Sequence, residues 1–299
     1  MTVSFAGLGQ MGRPIAVNLG KAGRVVVAAR SPAALDNLDG TSLDGTEDFR
    51  RLAEGDVVFL CLPNGRVVED LLFGEIGLAG LLKPGQTVVD LGTSDYAGTL
   101  AMARRLATGG IGFLDAPVSG MEARAIAGTL TVMCGGEREA FDSVKPWLDR
   151  IGDKVLHMGP VGSGQLAKLV NQLLFDINAA ALAEVLPMAA KLGLDPDLVG
   201  EVVNSGTGRS HASEFFVPRI LRGHFWDGYP MRDAYKDLVS GAGVSAELGM
   251  PMPVLAAATT TYQTALLQGH GDKDKGGMVR VFEDLLGVAF RSRTDGSER

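Results

Sequence analysis

The chain has few of the residues that mark nucleic-acid-binding, disulfide-rich or metal-binding proteins. Its 28 Lys and Arg are outnumbered by 35 Asp and Glu, the formal net charge is −7, and no basic run occurs. We therefore expect no nucleic-acid partner, because phosphate binding needs clustered cations. Cys61 and Cys134 lie far apart inside apolar runs, which is typical of reduced core thiols. Only four histidines are present, without CxxC or HExxH spacing, so we expect no metal.

Long apolar runs are also missing. No uninterrupted apolar stretch reaches the ~20 residues of a membrane span. The most apolar candidate, Leu173 to Leu186, is interrupted by Asp176, Asn178 and Glu184. We expect a cytoplasmic protein with no membrane partner. With 46% hydrophobic residues in a chain of 299, there is enough apolar material for two domains.

The first half of the chain alternates short apolar segments with helical patterns. Segments such as Pro14–Ala22 and Thr99–Thr108 have the helical spacing. Six segments bounded by Gly, Pro, Asp or Ser are predicted strands: Val3–Ala6, Val25–Ala29, Val57–Cys61, Thr87–Leu91, Gly112–Asp115 and Thr129–Cys134. This alternation predicts an α/β fold, a Rossmann-like doubly wound and mostly parallel sheet, over residues 1–160.

The second half is helical in pattern. A long helix is predicted over Gln165–Leu192, with Ser163 or Gly164 as its cap. Five further helices are predicted at Pro196–Asn204, Phe215–Leu221, Ala234–Leu248, Met252–Gln268 and Met278–Gly287. We expect no strand after residue 160. A linker near His157–Gly162 would therefore separate the first domain from an all-helical substrate and dimerisation domain, residues 161–299.

A glycine-rich turn directly follows the first predicted strand and opens a helix. It has the form G-x-G-x-x-G and reads Gly7-Leu8-Gly9-Gln10-Met11-Gly12. In that context the first glycine permits a tight turn, the second lets a pyrophosphate approach the backbone, and the third allows close helix packing. The helix N-terminus then offers N–H groups to the anion. The turn predicts a dinucleotide-binding site.

The residues after the second predicted strand indicate which dinucleotide binds. NAD-binding folds usually carry an acid there, which bonds to the ribose 2′-hydroxyl. This chain has Ala29, Arg30 and Ser31 instead. An acid would repel a 2′-phosphate, whereas Arg30 can pair with it and Ser31 can donate to it. We expect NADP as the cofactor, with NAD less favoured.

Lys168 lies early in the long predicted helix, on an otherwise apolar stretch. Asn171 and Gln172 follow at i+3 and i+4 and share its face. A helix N-terminus and partial desolvation favour a neutral amine, the form that accepts a proton. Spacing alone favours a lysine whose amine reaches solvent.

Four motifs together resemble the β-hydroxyacid dehydrogenases, the family of 3-hydroxyisobutyrate dehydrogenase, tartronate semialdehyde reductase and L-threonate dehydrogenase. The resemblance covers nearly the whole chain. It rests on FAGLGQMGRPIAVNL, DAPVSG with the trailing AGTLTVMCGG, GSGQLAKLVNQ, and the late KDL at residues 236–238. It implies a C-terminal domain like that of 6-phosphogluconate dehydrogenase and a homodimer or homotetramer.

The resemblance also implies roles for individual residues. Lys168 matches the general acid/base, and Ser119 and Gly120 match positions that hold the substrate carboxylate and hydroxyl. The predicted substrate-binding residues are Ser119, Gly120, Met121, Asn171 and Gln172. The predicted cofactor-binding residues are Gly7, Leu8, Gly9, Gln10, Met11, Gly12, Arg30, Ser31, Leu62, Pro63, Thr93 and Lys236.

Three positions depart from the family pattern. Met121 stands where members often have a second glycine, and Arg124-Ala125 stands where they have Gly-Ala. The asparagine one turn after the lysine falls at Gln172, with Asn171 one residue earlier. Met121 would narrow the pocket. Arg124 would either bind an acidic group or lie in solvent, and these alternatives stay open.

These observations predict an NADP(H)-dependent oxidoreductase acting on CH–OH groups. The reaction would be hydride transfer between the nicotinamide and a small 3-hydroxy acid or its 3-oxo partner, a semialdehyde. One alternative is an imine reductase on the same scaffold, although those enzymes usually carry Asp or Tyr in place of the lysine. Another is a non-catalytic NADP-binding protein that senses redox state or docks to a partner.

Overall fold

The computed structural model describes residues 1–36, 38 and 41–293. They form two compact units, one of Met1–Lys168 and one that starts at Leu169. The domain boundary expected between residues 160 and 161 stays a prediction. Residues 294–299, the end of the expected second domain, lie outside the described residues.

Among the described residues of the first unit, nine strands form one sheet. They are β1 (Val3–Ala6), β2 (Val25–Ala28), β3 (Leu43–Thr46), β4 (Val57–Leu60), β5 (Thr87–Asp90), β6 (Gly112–Asp115), β7 (Val118–Ser119), β8 (Leu130–Gly135) and β9 (Gly152–Gly159). The order is β3-β2-β1-β4-β5-β6-β8-β7, with β9 beside β8. Strands β1 to β6 are parallel to one another, β8 runs antiparallel to β6 and β7, and β9 is parallel to β8. The sheet is therefore mostly parallel, as predicted.

Helices cover both faces of this sheet. They are α1 (Gly12–Gly20), α2 (Gly65–Phe73), α3 (Leu78–Leu81), α4 (Tyr96–Ala107), α5 (Met121–Ala127) and α6 (Arg138–Leu148). Every residue of β1, β2, β4 and β5 is buried, because parallel central strands are covered on both sides. One face packs Phe5 and Phe59 against Ile15, and the other packs Leu60 against Leu72.

The strand order reverses direction at β1. This strand pairs with β2 on one side and with β4 on the other. In doubly wound sheets, ligands bind outside the carboxyl ends of the strands at such a switch point. The glycine turn of residues 7–12 begins directly after β1, so the fold places it at this position.

The second unit is helical. The long helix α7 (Ser163–Lys191) begins in the first unit and continues into the second. It is followed by α8 (Pro196–Ser205), α9 (His211–Leu221), α10 (Met231–Leu248), α11 (Pro253–Leu267) and α12 (Val279–Leu286). Their core includes the buried side chains of Leu186, Phe216, Tyr262 and Val279. Among the described residues after Gly159, no strand occurs.

Helix α7 is a core helix, although its length and composition alone would suit a membrane span. Core helices of soluble proteins can be equally long and apolar, so the length and composition of α7 are weak support for a membrane span. Ala180, Ala183 and Leu186 of α7 are buried in the apolar core of the second unit. Asp176, in the middle of the helix, is fully buried and pairs with the ammonium of Lys275.

The structure corrects the sequence-based prediction at three places. The strands β3, β7 and β9 were not predicted. Because β9 extends to Gly159, the segment His157–Gly159 belongs to the sheet and not to a linker. Ser163 and Gly164 lie inside α7, so the predicted cap at its N-terminus is wrong; a carboxylate of the sheet takes that role.

Candidate active site

The three glycines of the predicted phosphate-binding turn are explained by different contacts. Gly7 has φ +99°, and a Cβ there would lie 2.2 Å from the carbonyl oxygen of Cys61. A Cβ on Gly12 would lie 1.8 Å from the Gly7 carbonyl oxygen. A Cβ on Gly9 would meet nothing within 4 Å, so no neighbouring protein atom requires glycine there. A pyrophosphate that approaches the backbone does require it, and the turn therefore fits a dinucleotide.

The loops after β4 and β5 border this turn. A Cβ on Gly7 would lie 3.1 Å from the Leu62 side chain, and one on Gly92 would lie 3.0 Å from the Leu62 carbonyl oxygen. Pro63 is exposed beside Leu62, and Thr93 is half-buried beside Gly92. The structure thus brings the predicted cofactor residues of three neighbouring strands to one edge of the sheet.

Arg30 and Ser31 follow β2 at the same edge, and both are exposed. Among the described residues, Arg30 has no hydrogen-bond or ion-pair partner. Ser31 precedes a short 3-10 helix without using its hydroxyl as a cap. The Arg13 guanidinium donates to the carbonyl oxygens of Ala34 and Asp36, at 2.6 and 3.1 Å, and so holds this turn against α1.

Two buried carboxyl groups lie at the ends of β5 and β6. Asp90 accepts hydrogen bonds from the Gly92 amide and the Ser94 hydroxyl, both at 2.9 Å. Burial raises the pKa of Asp90 to about 6, and the neighbouring Asp115 carboxylate adds to this effect. Burial also raises the pKa of Asp115, against the opposing effect of the amides that donate to it.

Asp115 holds the N-terminus of α7. Its carboxylate oxygens accept from the Gly162 amide at 2.7 Å and from the Gln165 amide at 2.9 Å. The first amides of a helix have no partner within the helix, and a carboxylate also interacts favourably with the helix dipole. Asp115 opens the DAPVSG motif, so this motif anchors the helix that carries Lys168.

Gln165 was not among the predicted site residues, yet its side chain joins two parts of the site. Its Nε2 donates to the Gly92 carbonyl at 2.9 Å, and its Oε1 accepts from the Ser94 amide at 3.1 Å. The side chain is buried, with 4% exposure. A buried amide in an apolar helix needs partners, and this was the available signal, although the sequence does not identify the partners.

Lys168 follows Gln165 by three residues on α7. Its Nζ donates to the Val118 carbonyl oxygen at 2.9 Å, and the side chain is half-buried. Val118 belongs to β7 and is followed by Ser119, which is also half-buried. The structure therefore brings the predicted acid/base and the predicted substrate-binding turn together.

The turn after β7 has an unusual backbone. Gly120 has φ +141°, and a Cβ there would lie 2.9 Å from two side-chain carbons of Arg124. Met121 has φ +61° and is the one non-glycine residue with positive φ among the described residues. The Arg124 guanidinium pairs with Asp153 at 3.0 Å. Glu122, which follows Met121, accepts a hydrogen bond from the side-chain amide of Gln10 at 2.8 Å. This bond links the turn after β7 to the glycine turn.

The remaining predicted site residues belong to the second unit. The Gln172 Nε2 donates to an Asp237 carboxylate oxygen at 3.1 Å, and its Oε1 accepts from the Asn171 amide group at 3.4 Å. Lys236 is half-buried on α10, next to Asp237. One hydrogen bond within this unit thus joins Gln172 of the long helix to the KDL motif.

Two families of known proteins match the two parts of the chain. Residues 2–159 match the family described as the NAD binding domain of 6-phosphogluconate dehydrogenase. Residues 162–282 match the family described as NAD-binding of NADP-dependent 3-hydroxyisobutyrate dehydrogenase. The glycine turn lies in the first match, and Lys168 lies in the second.

Individual relatives agree with these matches. The chain is 35% identical to 2-(hydroxymethyl)glutarate dehydrogenase of Eubacterium barkeri over 96% of each protein. It is similar in structure to 3-hydroxyisobutyrate dehydrogenase from Salmonella typhimurium, with a TM-score of 0.86, 29% identity and coverage of 94% of this chain and 100% of that one. A structure of Psf3 in complex with NADP+ and 2-OPP matches with a TM-score of 0.82, 27% identity and coverage of 95% and 100%. The chain belongs to the β-hydroxyacid dehydrogenase family, and it is an oxidoreductase that acts on CH–OH groups with a nicotinamide cofactor.

Proposed function

We propose that this chain catalyses reversible hydride transfer between NADP(H) and a small 3-hydroxy acid or its 3-oxo partner. A bound nicotinamide would supply the redox chemistry, as acceptor or donor of the hydride on the carbinol carbon. Lys168 takes the hydroxyl proton in oxidation and returns it to the carbonyl oxygen in reduction. In oxidation the substrate thus loses one hydride to the nicotinamide and one proton to Lys168, and the hydroxyl group becomes a carbonyl group.

The observation that carries this proposal is the hydrogen bond between Lys168 Nζ and the Val118 carbonyl oxygen, at 2.9 Å. It fixes the amine beside Ser119, the residue that begins the predicted substrate-binding turn. A general acid/base must lie within hydrogen-bonding reach of the proton that it transfers. A substrate held at Ser119 and Gly120 would present its hydroxyl group to this amine.

The substrate class follows from the turn and from the relatives. Ser119 offers a hydroxyl, and the backbone of Gly120 and Met121 offers N–H groups, which suit a carboxylate. The relative from Eubacterium barkeri is named for 2-(hydroxymethyl)glutarate, in which the hydroxyl carbon is β to a carboxylate. A 3-hydroxy acid places its carboxylate two bonds from the carbon that reacts, so the same turn can orient both.

The preference for NADP(H) is supported by the edge of the sheet after β2. Arg30 is exposed there and has no partner among the described residues, and no acid occupies positions 29 to 31. A guanidinium forms two parallel hydrogen bonds with a phosphate. The related Psf3 structure contains NADP+. A 2′-phosphate is therefore the favoured ligand of Arg30 and Ser31.

The test compares NADP(H) with NAD(H) on 3-hydroxypropionate, 3-hydroxyisobutyrate, 2-(hydroxymethyl)glutarate and their semialdehydes. We expect turnover with NADP(H), and the Lys168→Ala variant to lose about 10²–10⁴ in rate, the usual range for acid–base catalysis. Lys191→Ala is the matched control. Lys191 lies on the same helix and donates to the Leu286 carbonyl oxygen, also at 2.9 Å. Its loss should leave the rate unchanged.

Other outcomes point to the alternatives. Turnover of a cyclic imine, with none of any acid, would replace the proposal with an imine reductase. Tight NADPH binding without turnover of acids or imines, unchanged in Lys168→Ala, would indicate a non-catalytic NADP-binding protein. Equal rate losses in the Lys168 and Lys191 variants would show that the lysine supports the fold and not the reaction.

A further inference from the structure

We propose that Gln165 is a positioning residue that fixes the cofactor-lining loop Gly92–Ser94 relative to Lys168. The inference rests on the proposed function, because it assigns Gln165 to the geometry of hydride and proton transfer. Gln165 would contact neither substrate nor cofactor. It would act through the loop on one side and through the lysine on the other.

The contacts of the Gln165 amide enclose Thr93. The Nε2 group donates to the carbonyl of Gly92, the residue before Thr93, at 2.9 Å. The Oε1 atom accepts from the amide of Ser94, the residue after Thr93, at 3.1 Å. The side chain thus pairs with the backbone carbonyl before Thr93, a predicted cofactor residue, and with the backbone amide after it. The amide group supplies both a donor and an acceptor, whereas a carboxylate of the same length lacks the donor.

The backbone of Gln165 is held as firmly as its side chain. Its amide nitrogen donates to the Asp115 carboxylate at 2.9 Å, and both residues are buried. Asp90, in the strand before the loop, accepts from Gly92 and Ser94 as well. The loop, the helix start and the ends of β5 and β6 therefore form one hydrogen-bonded network, which Gln165 joins at three points.

The position of Lys168 depends on that of Gln165, because both residues lie on α7. Three residues of α-helix rise about 4.5 Å, less than one full turn. The backbone hydrogen bonds of α7 make Gln165 and Lys168 move together. A loss of the amide contacts would therefore shift the loop relative to the lysine, and a misplacement of about 1 Å between reacting groups costs about 10²-fold in rate.

The test uses Gln165→Met and the matched variant Gln86→Met. Gln86 is buried, with 9% exposure, and makes the same kind of clamp at the start of β5. Its Nε2 donates to the Ala53 and Gly55 carbonyls, and its Oε1 accepts from the Lys83 amide. Met has a similar length but makes none of these hydrogen bonds. Both variants remove a buried amide clamp, but only Gln165 is attached to the predicted site.

We expect both variants to lose similar thermal stability, while only Gln165→Met loses kcat, by about 10²-fold. Its KM for NADPH should change less than kcat, because the glycine turn and Arg30 are untouched and only the loop around Thr93 is loosened. The deuterium isotope effect, measured with NADPH labelled at the transferred hydrogen, should rise as hydride transfer becomes slower than product release. Amide hydrogen exchange at Ser94 should accelerate in Gln165→Met and stay unchanged in Gln86→Met.

Two results would overturn the inference. One is a Gln165→Met variant that keeps the wild-type kcat and isotope effect. The other is an equal fall of kcat in both glutamine variants, which would reduce the role of Gln165 to fold stability. Failure of the proposed function is distinguishable, since Lys168→Ala would then behave as wild type. In that case hydrogen exchange at Ser94, with and without NADPH, still tests whether Gln165 holds the loop.

Discussion

The ammonium group of Lys168 donates to the carbonyl of Val118, a residue 50 positions earlier in the chain, at 2.9 Å. Asp115, three residues before Val118, accepts from the amide of Gln165, three residues before Lys168. The two contacts place the DAPVSG and GSGQLAK motifs side by side in the same order. The two motifs therefore form one structural unit. The DAPVSG motif holds both the N-terminus of α7 and the Lys168 side chain, which the GSGQLAK motif provides.

Replacing Gly9 by Ala should weaken NADPH binding without harming the fold. The added Cβ meets no protein atom within 4 Å, but it would occupy the approach of the pyrophosphate. We expect the Kd, measured by NADPH fluorescence, to rise about tenfold or more, equivalent to ~1.4 kcal/mol. Gly12→Ala is the contrast, since its Cβ would clash with Gly7 and lower stability. Wild-type NADPH affinity in Gly9→Ala would contradict the assignment of the turn.

Replacing Arg30 by Gln should reduce the preference for NADP(H). Loss of a charge-assisted pair with the 2′-phosphate costs about 1.5–3 kcal/mol, so the KM for NADP(H) should rise roughly ten- to hundredfold. The KM for NAD(H) should stay almost constant. Arg138→Gln serves as the control, because Arg138 is an exposed arginine paired with Asp142 on α6. Parallel increases in both KM values would show that Arg30 does not read the 2′-phosphate.

Asp90 should make the protein less stable as pH rises from about 4 to about 6. Its folded pKa of about 6 exceeds the ordinary value of 3.8, mainly because of burial. The folded state therefore binds this proton more tightly, and stability falls with pH across that window. Asp90→Asn should be more stable than wild type at pH 8 and about equal to it at pH 4. Urea unfolding at several pH values measures the difference, and a constant difference would refute the linkage.

Replacing Lys275 by Met should destabilise the second unit. Lys275 is 3% exposed and pairs with Asp176, which is fully buried and also accepts from the Tyr262 hydroxyl. Removal of one partner of a buried pair costs about 3–5 kcal/mol. Burial already raises the pKa of Asp176 to about 6. The deficit should therefore shrink as pH falls from 8 and the carboxyl group becomes protonated.

The double variant Lys275→Met, Asp176→Leu separates charge from packing. It contains no buried charge at this position, so it should recover much of the lost stability and show little of the pH dependence. Chemical unfolding of the three proteins at pH 6 and pH 8 would measure this. A double variant as unstable as Lys275→Met would assign the loss to packing and to the Tyr262 hydroxyl, which loses its acceptor Asp176, and not to the buried charge.

Replacing Met121 by Gly should widen the substrate range. Met121 has φ +61°, and a left-handed backbone costs a non-glycine residue about 1–2 kcal/mol. Met121→Gly should relieve this strain and remove the side chain, whereas Met121→Ala removes the side chain alone. Both variants should accept bulkier 3-hydroxy acids than wild type, and only the glycine variant should gain stability. An unchanged kcat/KM across an acid series would exclude Met121 from the pocket.

The fold was largely predictable because its central strands are buried on both sides. β1, β2, β4 and β5 are short and mostly apolar, and all were predicted within one residue. β9 was missed because apolar Leu156 and Met158 are exposed, as are the charged Asp153 and Lys154, so its sequence lacks the alternation of a half-buried strand. β7 has only two residues, too few for any periodicity.

The site was predictable only where it coincides with motifs. Lys168 and the turn at Ser119 were expected from the family resemblance, and the roles assigned to them stay predictions. The partners of Gln165 at Gly92 and of Asp115 at Gly162 lie 73 and 47 residues away in the chain. Such contacts arise from tertiary packing, which no local pattern encodes. The sequence also showed that Met121 departs from the family pattern, but not that its backbone is left-handed.

The anchoring of α7 by Asp115 limits how the first unit can be transplanted into another protein. A graft of residues 1–160 would end before Gly162 and Gln165, whose amides donate to the buried Asp115 carboxylate. That carboxylate would then lie inside the sheet edge without these donors, at a cost of about 1–3 kcal/mol or more. A graft that extends through Lys168 would keep them. The smallest exchangeable dinucleotide module of this chain therefore includes the first turns of a helix that belongs mostly to its neighbour.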